Sequence, residues 1–448
     1  MGAFHAYDIR GVYNRDFSKD DVYKMGFFLP AILKTDRILV GRDVRVSSPE
    51  VFEALTNGIT DAGCDVFNIG LSTTPMVYYG TFKYGFKGSV QITASHNPRE
   101  YNGLKVSCEN AAPVGYDTGL RDLEQLVLKG EVKPAIVKGK VKELDIKDDY
   151  IKFLKRYRTD YSNLKIAADL SNGMAALIAG DVLGTDIHYL FDELDGTFPN
   201  HEANPLVPEN VAALKRAVVE NKCDIGLIFD GDADRVMFVD EKGQFISPDL
   251  MIAVLGHYFF EEKGLKGLVL QDIRSSKAVG EYLAKNWNAE VYTWRVGRAF
   301  AAPKLREIDG LFGGELAGHY YFKDFSYSDS GMMAALILLG IMANMKRKDV
   351  SVSQLIASIA VYKNSGELNY KIEDKAGAMK AVCDYFKSAE KPTKEMDFDG
   401  YRIEFPDWWF NIRPSNTEPY LRFIAEAKTD EMLADKLAKV NEILARFS

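Results

Sequence analysis

Apolar residues along this chain come in short runs, and the runs recur in a fixed context. Those at 38–40, 166–168 and 268–270 close on Gly-Arg-Asp43, Asp169-Leu-Ser-Asn-Gly173 and Gln-Asp272. After each the spacing of apolar positions changes to a helical one, over 49–62, 174–183 and 276–286, and a second short strand follows at 65–69, 186–190 and 290–294. A further helix then leads to a strand or turn that opens into a polar loop, at 93–98, 230–235 and 314–319. Strands alternating with helices predict βαβ units and a mostly parallel sheet. Ligands of such sheets gather at the carboxyl ends of the strands, so three units present three loops at comparable places.

The remaining stretch is patterned differently. Positions 367–372 alternate like a strand, 376–387 read as a helix, and 401–405 with 408–412 read as a hairpin around Pro406-Asp407. Leu433, Leu437, Val440 and Leu444 share one face of a last helix over 431–446. The pattern predicts an α/β chain: three similar α/β domains with mixed, mostly parallel sheets, followed by a C-terminal α+β domain. The expected divisions are 1–140, 141–247, 248–361 and 362–448. The longest apolar run, 332–345, is too short to span a bilayer and contains Gly340 and Asn344, so a buried helix is expected.

Composition narrows the partners. The chain has 448 residues, enough for several domains, and 47% of them are hydrophobic, so its core needs no staple. A net charge of −8 argues against a nucleic-acid binder, which shows a basic footprint. Cys64, Cys108, Cys223 and Cys383 are scattered, which fits a reduced, cytoplasmic chain. No signal peptide is visible, and no membrane association is expected.

Four loops carry candidate chemistry. Thr93-Ala94-Ser95-His96-Asn97-Pro98 puts a hydroxyl in a tight turn after an apolar strand, with Lys105 downstream to hold phosphate or move a proton. Taken alone, those residue types are also those of an ordinary turn. Asp230-Gly-Asp232-Ala-Asp234-Arg235 sets three carboxylates at alternate positions between two apolar runs. Such a triplet is a solvated acidic turn or a site for a hard cation, and the buried flanks favour the cation. Gly313-Gly314-Glu315-Leu316-Ala317-Gly318-His319 offers a close approach for a ligand, a carboxylate for sugar hydroxyls and an acid or base, although a lone histidine is also an ordinary core residue. Arg413-Pro-Ser415-Asn416-Thr417-Glu-Pro419, with Arg422, reads as a phosphate cradle or a Pro-bounded surface turn. No P-loop signature is present.

Together with Tyr7-Asp-Ile-Arg10-Gly11, the four loops in this order resemble the α-D-phosphohexomutase superfamily, and most closely its phosphomannomutase/phosphoglucomutase branch. The resemblance implies four domains around a central cleft and an interconversion of hexose 6-phosphate and hexose 1-phosphate. It implies that Ser95 carries the phosphate, and that Asp230, Asp232 and Asp234 bind one Mg²⁺ with an oxygen of phosphorylated Ser95. Lys105 and His319 become the acid/base candidates, and Arg10 and Arg235 supports of phosphate and geometry. Tyr7 joins the substrate-binding residues, Glu315 holds sugar hydroxyls, and Arg413, Ser415, Asn416, Thr417 and Arg422 hold the phosphate that is not reacting. Hexose 1,6-bisphosphate is the implied intermediate and activator, the partner is a phosphosugar, and the chain is a monomer or homodimer.

Asn416 before Thr417-Glu-Pro favours mannose and glucose phosphates over glucosamine phosphate. Three positions depart from the family's pattern: Ala317 replaces a serine of the sugar loop, Arg274 stands where a lysine is usual, with Lys277 as a substitute, and Arg298 stands in place of a cleft histidine. Arginine at the last two keeps a charge for phosphate but exchanges a compact group for a planar fork. A phosphoglucosamine mutase, a non-catalytic sugar-phosphate binder and an aspartate-nucleophile phosphatase are the alternatives; the intact serine and aspartates speak against the last two.

Overall fold

The computed structural model of the chain describes residues 2–415 and 420–447. Its described strands form four sheets, and the first three share one plan. A central strand (Arg37–Arg42, Ile166–Asp169 or Val269–Asp272) has a parallel neighbour on each side. On one side that neighbour is Gly88–Ile92, Ile225–Phe229 or Phe312–Gly314. Beyond it runs an antiparallel strand, Tyr101–Cys108, Val236–Asp240 or Tyr320–Phe322. A further antiparallel strand closes each order: Ile9–Val12, Phe245–Ile246 or Ser328–Asp329.

This plan fixes where chemistry can sit. Parallel neighbours need a crossover, whereas an antiparallel partner needs only a loop. In all three units that reversing loop leaves the carboxyl end of a buried strand, and the loops are those of Ser95, the three aspartates and Glu315. The loops predicted from sequence thus hold one topological position in three copies of a fold.

Local differences remain. The helix expected over 174–183 is broken into a 3-10 turn, Met174–Leu177, and a short helix, Ala179–Leu183. Ile178 between them has φ −133°, outside the helical region, and Gly180 weakens the segment that follows. Helix Gly331–Arg347, capped by Ser330, is apolar on all faces and buried almost throughout, packing on strand Val236–Asp240 and helix Leu250–Gly256. One continuous apolar core therefore runs through the first three units. None of the described helices is long and apolar enough to cross a membrane.

The fourth sheet is antiparallel, ordered Lys363–Asn364, Tyr420–Ala427, Trp408–Pro414, Tyr401–Glu404, Lys394–Met396, with Leu368–Lys371 also on Tyr420–Ala427. Helices Lys375–Ala389 and Asp430–Leu444 pack on it around a separate core of Phe386, Trp408, Phe410 and Phe423. Polar contacts join it to the third unit. The buried Arg402 donates from Nη1 to the carbonyls of Ile273 (2.9 Å) and Ser275 (2.5 Å), and Glu426 accepts from Ser276 Oγ at 2.6 Å.

Candidate active site

All four units contribute walls to a central cleft of about 760 Å³. Ser95 lies on its floor, only 3% exposed. Its backbone has φ +51°, a left-handed conformation uncommon for a serine, and its N–H donates to Thr93 Oγ1 at 2.9 Å. The conformation turns the chain back within one residue of the strand, and Ser95 Oγ donates to Asp230 Oδ2 at 2.8 Å. The two loops meet backbone to backbone because residue 231 is glycine: a Cβ there would lie 2.4 Å from the Ser95 carbonyl oxygen.

The three aspartates are at most 1% exposed. Lys105 Nζ donates to Asp232 Oδ2 at 2.6 Å and Asp234 Oδ2 at 2.5 Å, Arg235 Nε donates to Asp230 Oδ2 at 2.9 Å, and the Thr74 hydroxyl donates to Asp232. Two cations thus face three carboxylates. Burial pushes Asp230 up to about 7 despite Arg235. The Oδ1 atoms of Asp232 and Asp234 are buried and have no hydrogen-bond partner among the described residues. Orphaned buried carboxylate oxygens fit a hard divalent cation with oxygen ligands, and candidate ligand atoms of the three aspartates lie within 4.8 Å of one another. Nearby donors are orphaned in turn: Arg10 Nε and Arg235 Nη2 have no partner among the described residues, as anion-binding groups without their anion would.

The third loop supplies Glu315 and His319. Glu315 Oε1 accepts from Tyr321 OH at 2.5 Å and Oε2 from Gly297 N–H at 3.1 Å, and burial raises its pKa. His319 Nδ1 sits 2.6 Å from Asp329 Oδ2, leaving Nε2 as the nitrogen for substrate. Burial disfavours the imidazolium, but Asp234 and then Asp329 outweigh it and raise the pKa. The same two-sided balance holds Lys105 charged: burial opposes it, and Asp232 and Asp234 raise it well above its usual value. His96, whose Nδ1 lies 3.4 Å from Ser95 Oγ, is kept neutral by burial and then by Arg235.

At the far end, Arg274, Arg413 and Arg422 turn towards one carboxylate, Glu367, at 3.9, 3.7 and 2.9 Å. Ser415 lines the cleft beside them. Asn416 and Thr417 lie outside the described residues. Tyr7 also lines the cleft, edge-on to Phe300, and Arg10 donates from Nη1 to Asn97 Oδ1 at 2.7 Å.

Two residues expected at the substrate have protein partners of their own in the structure. Lys277 opens helix Lys277–Trp287 and points at the fourth unit, donating to the carbonyls of Phe405 (3.1 Å) and Pro406 (3.3 Å). It fastens two domains and does not line the cleft. Arg298 does line it, but its guanidinium is committed to protein: Nε to Asp329 Oδ1 at 3.0 Å, Nη2 to the Ala111 carbonyl at 2.7 Å, and its face on Tyr78 with Cζ 3.8 Å from the ring centre. Asp329 and the Ala111 carbonyl thereby hold the fork in place on the cleft wall.

Several partners escape sequence reading. Thr74, Tyr78 and Glu367 act on residues far along the chain, and Asp329 meets His319 from ten residues on, beyond the loop's own motif, so no local motif marks them. Asp43 and Arg45 follow the central strand of the first unit, Arg37–Arg42, and that position at a strand's carboxyl end was their one available signal.

Comparison with known proteins agrees with this geometry. Models of phosphoglucomutase/phosphomannomutase α/β/α domains I, II and III match residues 1–132, 148–243 and 247–362, and that of the family's C-terminal domain matches 367–443. A phosphomannomutase of Vibrio cholerae is 34% identical, with 100% of this chain and 99% of the relative covered. A phosphomannomutase of Methanocaldococcus jannaschii is 33% identical, with 99% and 98% covered. The crystal structure of a phosphoglucomutase/phosphomannomutase family protein from Burkholderia thailandensis superposes with a TM-score of 0.86 at 26% identity, covering 99% of this chain and 97% of that one. The chain belongs to the phosphoglucomutase/phosphomannomutase family, and with it to the intramolecular phosphotransferases.

Proposed function

We propose that the chain interconverts hexose 6-phosphate and hexose 1-phosphate, with mannose and glucose phosphates as substrates, through phosphorylated Ser95 and a hexose 1,6-bisphosphate. The observation that carries this reading is Ser95 Oγ at 2.8 Å from Asp230, beside two aspartates with orphaned oxygens. The full-length relatives named phosphomannomutase support mannose.

Asp230, Asp232 and Asp234 would hold Mg²⁺ together with an oxygen of phosphorylated Ser95, and the ion, when bound, would supply positive charge against the transferring phosphoryl group. The chain's own residues do the rest. Glu315 orients the sugar through its hydroxyls, and Arg274, Arg413, Ser415 and Arg422, together with Asn416 and Thr417, grip the phosphate that is not reacting. The free sugar hydroxyl then lies against the phosphoryl group of Ser95. Its oxygen forms a bond to phosphorus as its proton passes to His319 Nε2, and the Ser95 Oγ–phosphorus bond breaks as the charged Lys105 supplies a proton to the leaving serine oxygen. Arg10 Nε and Arg235 Nη2, which have no hydrogen-bond partner among the described residues, meet the phosphoryl oxygens. After the bisphosphate turns around, its other phosphate returns to Ser95 and the isomeric monophosphate leaves.

Purified protein with Mg²⁺ and a trace of hexose 1,6-bisphosphate is offered mannose, glucose and glucosamine 1-phosphates in turn. Turnover of mannose or glucose phosphate above glucosamine phosphate is expected. A preference for glucosamine phosphate overturns the substrate assignment, and no turnover of any overturns the reaction.

A further inference from the structure

We infer that Arg45 is the positioning residue that shapes the Ser95 loop for phosphoryl transfer, an inference resting on the phosphoserine reading above. Its side chain is 0% exposed and lies beneath the loop, on the side away from the cleft. One guanidinium collects the loop's inward carbonyls. Nη2 donates to Ser95 O at 2.9 Å and Asn97 O at 2.6 Å, and Nη1 donates to Pro98 O at 2.7 Å and Tyr101 O at 3.1 Å. Nε donates to Asp43 Oδ2 at 3.1 Å, which balances the charge and aims the fork. All five N–H groups of an arginine are thereby used.

The loop needs such a group. It leaves a buried strand and reverses, so these carbonyls turn inward; the Tyr101 N–H donates to Pro98 O at 3.0 Å, and Arg45 supplies donors to the carbonyls of Ser95 and Asn97, since a buried acceptor without a donor destabilises the conformation that holds it. Arg45 Nη2 holds the carbonyl of Ser95 itself, the residue with φ +51°. The left-handed turn that presents Ser95 Oγ to Asp230 is therefore held from its carbonyl side by Arg45 and from its N–H side by Thr93.

The second unit closes over this arrangement. Residues 45 and 196 form a parallel backbone bridge, and a Cβ on Gly196 would lie 2.2 Å from the Val44 carbonyl oxygen. The ring of Phe198 lies over the guanidinium, 5.1 Å from Cζ to its centre. The nucleophile loop of the first unit is thus shaped by a residue that the unit bearing the aspartates covers. Lysine offers one point charge where four carbonyls spread over a fork's width, so Arg45→Lys keeps the charge and loses the shape.

The experiment compares Arg45→Lys and the milder Asp43→Asn with the parent and with Ser95→Ala, in steady state and in single-turnover transfer of labelled phosphate from hexose 1,6-bisphosphate to Ser95. A displaced nucleophile loses turnover by about a hundredfold or more. The inference expects that loss in kcat for Arg45→Lys, an equal loss in the labelling rate, and a KM within about threefold of the parent, because the sugar and phosphate contacts are untouched. Asp43→Asn shifts kcat the same way by about three- to tenfold. Added guanidinium partly restores kcat to Arg45→Ala, which a general loss of folding does not allow. A kcat for Arg45→Lys within twofold of the parent, or a KM that moves as far as kcat, overturns the inference. If Arg45→Lys does not fold, an unchanged kcat in Asp43→Asn overturns it. Activity in Ser95→Ala instead removes the phosphoserine reading beneath it, so the two failures are told apart.

Discussion

The two ends of the cleft hold charge in opposite ways. Around Ser95 the serine and the aspartates are buried, Lys105 and His319 partly so, and the groups, drawn from three domains, pack within about one hydrogen bond of each other: Ser95 Oγ to Asp230 at 2.8 Å, Lys105 to two aspartates at 2.6 and 2.5 Å, His319 to Asp329 at 2.6 Å. At the phosphate grip, three arginines lean on one glutamate that is 25% exposed, two of them at 3.7 and 3.9 Å. The first end is built to stabilise charge that moves during transfer, where preorganised dipoles in a dry site count most. The second must take whichever phosphate is not reacting, so a looser set of cations suits it. Damage at the first should appear in kcat, and damage at the second in KM.

Substitution at the transfer end gives the largest effects. Asp232→Ala is expected to lower kcat by about 10²–10³ and to abolish tight Mg²⁺ binding, followed by calorimetry; unchanged Mg²⁺ affinity contradicts the ligand assignment. His319→Gln removes a proton-transfer group and is expected to cost about 10²–10⁴ in kcat at nearly constant KM. Arg422→Ala, at the grip, deletes a charge-assisted contact of about 1.5–3 kcal/mol and should raise KM about ten- to a hundredfold with a smaller change in kcat. Should Arg422→Ala lower kcat alone, the division between the two ends fails. Ala317→Ser returns a hydroxyl to the sugar loop and should improve kcat/KM for mannose or glucose phosphate by at most about tenfold. Lys277→Ala should leave KM unchanged and lower the melting temperature slightly, since its contacts are to carbonyls of the neighbouring domain.

The same division describes what could be read from the sequence. The repeated units were legible because apolar runs alternate with helical periods, and the reactive loops because they follow buried strands. The aspartate triplet was legible because three carboxylates between apolar runs need a cation. Hidden were the groups that act across long separations. Thr74 reaches Asp232 from another domain, and Glu367 meets three arginines from two units; Asp329, only ten residues from His319, was hidden because the loop motif ends before its strand. Lys277 and Arg298 show the converse. Their charge and place in the chain suggested a phosphate, but a helix start facing the fourth domain claims one and Asp329 with Ala111 claims the other. Periodicity reports which face of an element is buried; it is silent on which distant partner a side chain meets there.

Transfer of phosphate through Ser95 is the central claim, and one measurement meets it directly. The dephosphorylated protein is incubated with Mg²⁺ and hexose 1,6-bisphosphate carrying labelled phosphate, digested, and its labelled peptide sequenced; a parallel sample is chased with unlabelled hexose 1-phosphate. The account predicts label on Ser95 alone, lost in the chase and recovered in hexose bisphosphate and monophosphate. Label on another residue, label that the chase does not move, or full turnover by a Ser95→Ala protein would contradict it.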